Sequence, residues 1–328
     1  MSFKKLVVAV SAAMLLAFPA VAQDKITIGV SWDEKESSLV TAWEDFMRAH
    51  GADLGAEAGV EVEFIFNVAN SDPARQAANI EDLINRGVDI ILARAWDSAA
   101  VGSSIRAADA AGVPFITFDR PSSTIQPIAH VGGDSYDQAV RSASALVGIL
   151  TKEGVKGRCI EMVGALVDEN AVFRSQGWQE TDTASLQIET LAQVPTEWNP
   201  ELFLSGLTNA LNAHPDANCL FIASDFAFQS VQAALEAAGK YHPIGHPDHV
   251  YIATCDLEAA AVVPMEQGYI DVSMTWNADA QAREAVRVAL AIVGGEDPGC
   301  GSNGCLAKGQ LITPSTIGEV ENLWSREY

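Results

Sequence analysis

Two α/β lobes, each a doubly wound parallel sheet, joined by a hinge of three chain segments, are the architecture this sequence predicts. Three observations carry that expectation. Short β-branched or aromatic runs alternate with segments of helical period from Lys25 onward, the alternation restarts after residue 150 with the same rhythm, and 328 residues exceed what one hydrophobic core usually serves.

In the first half KITIGV reads as a strand, followed by a helix over 37–58 that sets Leu39, Trp43, Phe46, Met47 and Leu54 on one stripe. VEVEFIFN is the next strand, and Asp72-Pro73 opens a helix over 73–86 with a capping carboxylate and a proline in the first helical position. VDIILA, a helix over 99–111 and VPFITF complete the series. The second half repeats it: CIEMVG, a helix over 173–181, SLQIETL, a helix over 201–213, CLFIAS, a helix over 229–238, VYIATC and YIDVSMTW, with a further helix over 279–293. Consecutive parallel strands need crossover helices, so both sheets are expected to be covered on two faces, with ligands held beyond the carboxyl ends of the strands.

Residues 1–22 stand apart. Lys4 and Lys5 precede an apolar run over 6–17, and Ala20-Val21-Ala22 follows a small-x-small pattern, which together read as a secretory signal peptide and a periplasmic location. A formal net charge of −23 repels phosphate backbones, so nucleic acid is not an expected partner. Cys300 and Cys305 flank a short loop and form a disulfide candidate, whereas Cys159, Cys219 and Cys255 lie in strand-like runs and read as small buried hydrophobes. The match G-x-G-x-x-G at Gly299, Gly301 and Gly304 has no strand before it and no helix after it, and fails as a dinucleotide site. His242, His246 and His249 sit among prolines and glycines, where a solvated turn is expected rather than a metal centre. No cofactor is expected.

The informative residues are those at predicted strand ends. Trp32, Asp33 and Glu34 end the first strand, Arg94 and Trp96 the third, Asp119 and Arg120 the fourth, and Asp134 follows a Gly-Gly step. Arg174, Trp198, Asp225, Asp256, Trp276 and Asn277 come from the second half. Carboxylates accept from vicinal hydroxyls, Arg and Asn donate to ring and hydroxyl oxygens, and Trp faces pack on the C–H side of a sugar, so the set suits a polyhydroxylated ring.

FITFDR followed by VGGDSYD, the FRSQGW segment around Arg174, Ser224-Asp225, Asp256 and the run DPARQAANIEDLINRGVDIIL carry a resemblance. The chain from about residue 25 onward resembles the type I periplasmic sugar-binding proteins of ATP-dependent importers, the family of the ribose-, xylose- and galactose-binding proteins. That resemblance implies ligand contacts by Asp119, Arg120, Arg174, Asp256 and the residues around Trp32 and Asp33. It implies capture of a monosaccharide, polyol or sugar acid by hinge closure, delivery to a membrane permease, a monomeric state and no catalysis. The lobes are expected to comprise 25–133 with 277–306, and 134–276 with 307–328. Ser224, Arg94, Leu257 and Trp276 stand where the family often has Asn, Asn, Gly, and Gln or Asn, so the ligand need not be ribose. Output to a chemoreceptor or sensor kinase, and a nucleoside or furanose-like ligand, remain as alternatives. An enzyme using Asp119 or Asp256 as base lacks a histidine at any predicted strand end.

Overall fold

The computed structural model describes residues 24–35 and 37–328; the signal peptide expected over 1–22 lies outside the described residues. The chain runs β1 (Asp24–Trp32), α1 (Ser38–Ala58), β2 (Val60–Val68), α2 (Pro73–Asn85), β3 (Ile90–Ala93), α3 (Val101–Ala110), β4 (Phe115–Asp119) and β5 (Ala129–Gly133). It continues α4 (Ser135–Glu153), β6 (Gly157–Val163), α5 (Glu169–Ala184), β7 (Ile188–Pro195), α6 (Pro200–Ala213), β8 (Cys219–Ile222), α7 (Phe228–Ala237), β9 (Tyr251–Asp256), α8 (Ala259–Glu266) and β10 (Val272–Thr275). The last elements are α9 (Ala278–Val293), β11 (Cys305–Ala307) and β12 (Leu311–Ile312).

Two six-stranded sheets result, in the orders β11-β5-β4-β3-β1-β2 and β12-β10-β9-β8-β6-β7. The same order arises from each half of the chain, and every pairing is parallel except β10 with β12. The central strands β3, β4 and β8 are buried along their whole length, as near-continuous apolar runs must be when helices cover both faces. Helix starts follow the sequence signals: Ser37 caps α1, Asp72 caps α2 ahead of Pro73, and Asn199 caps α6 ahead of Pro200.

The chain passes between the sheets three times. β5 closes the first sheet at Gly133, and α4 packs under the second, where Ser142 Oγ donates to the carbonyl of Thr254 (2.8 Å). After β10 the chain returns as α9 beside α1, tied by Trp43 Nε1 donating to Gln281 Oε1 (3.1 Å). β11 then joins the first sheet and β12 the second. In the tail, Ile317 and Leu323 pack into the second core and Trp324 packs into the first, its Nε1 donating to the carbonyl of Trp276 (2.7 Å).

Cys300 and Cys305 are joined, closing the loop before β11. The reading of Cys159 and Cys219 as unpaired small hydrophobes is corrected: they sit opposite one another on the neighbouring strands β6 and β8 and form a second disulfide, leaving Cys255 as the buried free thiol. Of the chain's five cysteines, one thiol is therefore expected to react with a thiol reagent in denaturant without reductant, and three would contradict the β6–β8 link. The histidine loop is exposed over residues 243–248, as a solvated turn is, with His249 buried beside it. His242 and His246 stack (3.9 Å between centroids), and His249 turns inward to Asp271, with Nε2 3.1 Å from Oδ2.

Candidate functional site

The carboxyl ends of the two sheets face each other across a cleft with about 600 Å³ of space free of atoms, its mouth included. Of the predicted residues, Glu34, Arg94, Trp96, Asp119, Arg120, Arg174, Trp198, Asp256 and Trp276 line it.

The duplicated fold places two aspartates at equivalent points. Asp119 ends β4 and Asp256 ends β9, and each has a left-handed backbone (φ 63° and 91°). Such strain on a side chain larger than glycine costs on the order of 1–3 kcal/mol and is kept where the surroundings over-determine it. Here Asp119 Oδ2 accepts from Arg94 Nε (2.7 Å), and its Oδ1 accepts from Trp276 Nε1 (3.0 Å). Asp256 Oδ1 accepts from Arg174 Nη2 (2.6 Å) and Gln138 Nε2 (3.0 Å), while the Arg174 guanidinium lies over the Trp276 ring at 4.9 Å. Trp276, at the second crossing, thus touches the polar centres of both lobes.

Bonds across the cleft hold the lobes closed. Ser37 Oγ donates to Glu258 Oε2 (2.9 Å), Asn170 Nδ2 to the carbonyl of Asp119 (3.1 Å) and the Ser98 N–H to the carbonyl of Val167 (2.9 Å). Arg120 Nε lies 2.8 Å from Asp168 Oδ2, a charge contact whose N–H is not aligned as a hydrogen bond.

Five predicted residues are placed elsewhere. Trp32 is fully buried, stacked on Trp43 (6.0 Å) with its Nε1 donating to Glu44 Oε1 (2.9 Å), because the last side chain of β1 points into the helix layer rather than along the strand. Asp33 sits behind the cleft wall, accepting from Arg94 Nη1 (2.7 Å) and Arg120 Nη1 (2.6 Å), and so aims two guanidiniums. Asp225 lies beneath the floor, accepting from the N–H groups of Leu257 (3.1 Å) and Glu258 (2.8 Å) and from Thr254 Oγ1 (2.6 Å). Asp134 and Asn277 are spent as caps of α4 and α9, accepting from the N–H of Asp137 (2.9 Å) and of Ala280 (3.2 Å). Ser37, Asp168, Asn170, Phe226 and Glu258 line the cleft without having been anticipated. Ser37 and Asp168 occupy helix-cap positions just after strands, the signal that would have found them.

Burial raises the pKa of several carboxyl groups in and behind the cleft wall. Asp33, Asp168, Asp256 and Glu258 are all shifted up by loss of water, partly offset by Arg120 and then Arg94 at Asp33 and Asp168, by Arg174 at Asp256, and by Ser37 at Glu258. Asp225 is pushed up to about 7 by burial and then by Asp256. A carboxyl whose folded pKa lies above its unfolded value of about 3.9 favours the folded state at low pH, and that advantage is lost as pH rises from about 4 through 7. Asp225→Asn is therefore expected to flatten the decline in melting temperature over that interval. An unchanged pH slope in the variant would assign Asp225 no such role.

Gly164, after β6, has no room for a side chain: a Cβ there would overlap the Trp198 ring, whose Nε1 donates to Asp168 Oδ2 (2.9 Å). Gly164→Ala is expected to destabilise by about 1–3 kcal/mol and to weaken ligand binding about tenfold by expelling the indole from the cleft wall. Wild-type affinity in calorimetry would take Trp198 out of the site.

Comparison with known proteins agrees with this geometry. Residues 28–297 match the family model described as periplasmic binding protein domain. The ribose import binding protein of Escherichia coli K12 is 29% identical over 243 residues, 73% of this chain and 78% of that protein. A putative rhizopine-binding protein of Rhizobium meliloti is 27% identical over 306 residues, 89% and 92% of the two chains. A Bacillus halodurans transporter solute-binding protein solved with bound myo-inositol superposes with a TM-score of 0.79 at 25% identity, covering 93% of this chain and 99% of that one. With the family model spanning most of its length and its two sheets opposed across a closed cleft, the chain belongs to the periplasmic binding protein family.

Proposed function

We propose that this protein captures a monosaccharide or related polyol between its lobes, closes on it by hinge motion, and presents the closed form to the permease of an ATP-dependent importer. The observation that carries the reading is the pairing of Asp119 and Asp256, each at a strained strand end and each fixed by a guanidinium, on opposite walls of one buried cleft. Such groups are held in place before binding, so little side-chain entropy remains to be lost when hydroxyls arrive. Trp96, Trp198 and Trp276 supply ring faces for the C–H side of a sugar. Names of relatives point the same way: ribose for one, myo-inositol for a solved structure. The leader pattern over 1–22 and two disulfides support export to the periplasm, an oxidising compartment.

A thermal-shift panel of pentoses, hexoses and inositols tests the proposal. At millimolar ligand a micromolar binder adds about 4 kcal/mol of stability, so a clear upward shift is expected with at least one compound. A flat panel would count against the polyol reading.

A further inference from the structure

Among the described residues each guanidinium in the cleft has a carboxylate within ion-pair distance, whereas one cleft carboxyl group has no cation. Among the described residues five carboxyl groups and three guanidiniums line the cavity. Arg94 contacts Asp33 (2.7 Å), Glu34 (3.0 Å) and Asp119 (2.7 Å); Arg120 contacts Asp33 (2.6 Å) and Asp168 (2.8 Å); Arg174 contacts Asp256 (2.6 Å). Glu258 is left over. It is 4% exposed, and no Lys, Arg or His of the described residues lies within ion-pair distance of it. It stands at the cap position of α8, yet its carboxylate does not bond the helix N–H groups and instead meets Ser37 Oγ across the cleft. A second observation in the same cavity points to a bound molecule: Arg120, 3% exposed, keeps a buried Nε–H without an aligned acceptor, which a ligand oxygen would supply.

We propose that the ligand is a polyhydroxylated ring carrying a protonated amine, with its ammonium seated at Glu258 and its oxygens at the guanidiniums. The inference rests on the capture of a polyol proposed above and specifies its chemical class. A buried carboxylate is costly unless it is paired, and an ammonium brings both the missing charge and N–H donors. Burial, then Asp256 and Asp225, raise the pKa of Glu258 well above the usual carboxylate value, and a ligand cation beside it would oppose that shift. A sugar acid, one of the ligands the sequence left open, would instead add negative charge to a cleft whose arginines already have partners.

Calorimetric titration of the whole mature protein with a matched set tests this: glucose, its 2-, 3- and 6-amino-deoxy analogues and glucuronate, with myo-inositol as a neutral cyclic reference. At least one amine is expected to bind tenfold or more tighter than every neutral compound, with glucuronate weakest. Glu258→Gln is expected to bring the ratio of amine to neutral affinity to about one, and a cooperative melt of the ligand-free variant reports that it is folded. Neutral compounds binding as tightly as every amine would overturn the inference and leave polyol capture standing. Binding of none of the set would overturn both. A preference for the amine that survives in Glu258→Gln would overturn the placement of the ammonium.

Discussion

Asp119→Ala is expected to weaken ligand binding at least about 30-fold and also to lower the melting temperature of the ligand-free protein. A strand-end carboxylate that served the ligand alone would spare the ligand-free fold. Asp119 does more: it accepts from Arg94 Nε, and Trp276 Nε1 is bonded to it as well, at a position 3% exposed. Removing this carboxylate leaves the Nε–H of Arg94 and the Nε1–H of Trp276 without their acceptors, at about 1–3 kcal/mol each, while Arg94 keeps Asp33 and Glu34 as charge partners. Alanine also tolerates the left-handed backbone at φ 63° less well than aspartate, a further cost of about 1 kcal/mol. The affinity loss, at least about 30-fold, follows from charge-assisted bonds contributing about 1.5–3 kcal/mol each. Asp119→Asn keeps an acceptor for Trp276 and the backbone tolerance, so it is expected to melt between the two and still bind weakly. Wild-type melting for Asp119→Ala would show that the Arg94 contact carries no stability.

Opening the β6–β8 disulfide is expected to be the other large effect. The bond closes a loop with a sequence separation of 60, and chain-entropy arguments assign such a loop about 4 kcal/mol, against about 2 kcal/mol for the short loop between Cys300 and Cys305. The double replacement Cys159→Ala with Cys219→Ala should therefore lower the denaturant midpoint well beyond Cys300→Ala with Cys305→Ala. Equal losses from the two pairs would contradict that ordering.

The disulfide also shows where sequence reading stops. Cys300 and Cys305 are near neighbours in the chain, so their pairing is a local inference. Cys159 and Cys219 meet because β6 and β8 lie side by side, and strand order is a property of the folded sheet rather than of either segment. The same boundary runs through the site. Asp119, Arg120 and Asp256 were legible because a residue ending a buried parallel strand must emerge at the sheet's carboxyl edge, whereas Arg174, inside α5, was legible only through the resemblance of its FRSQGW segment. Trp32 also ends a strand, yet its indole turns sideways onto Trp43, and residue position alone does not say which way a side chain leaves. Asp33 and Asp225 show a third outcome, buried one layer behind the wall, where they orient Arg94 and Arg120 and the Leu257–Glu258 backbone. Glu258 was invisible for a related reason. Its helix α8 is eight residues long and interrupted by Pro264, too short and irregular to announce its own start.

The most direct measurement is a diffraction structure of the protein grown with the compound that raises its melting temperature most. The expected result is a ring enclosed between the lobes, its oxygens within about 3.2 Å of Arg120 and Arg174 and of the Asp119 or Asp256 carboxylates, with a Trp face against its C–H side. An empty cleft in a crystal that holds the compound elsewhere would contradict the assignment of the cleft as the place of capture.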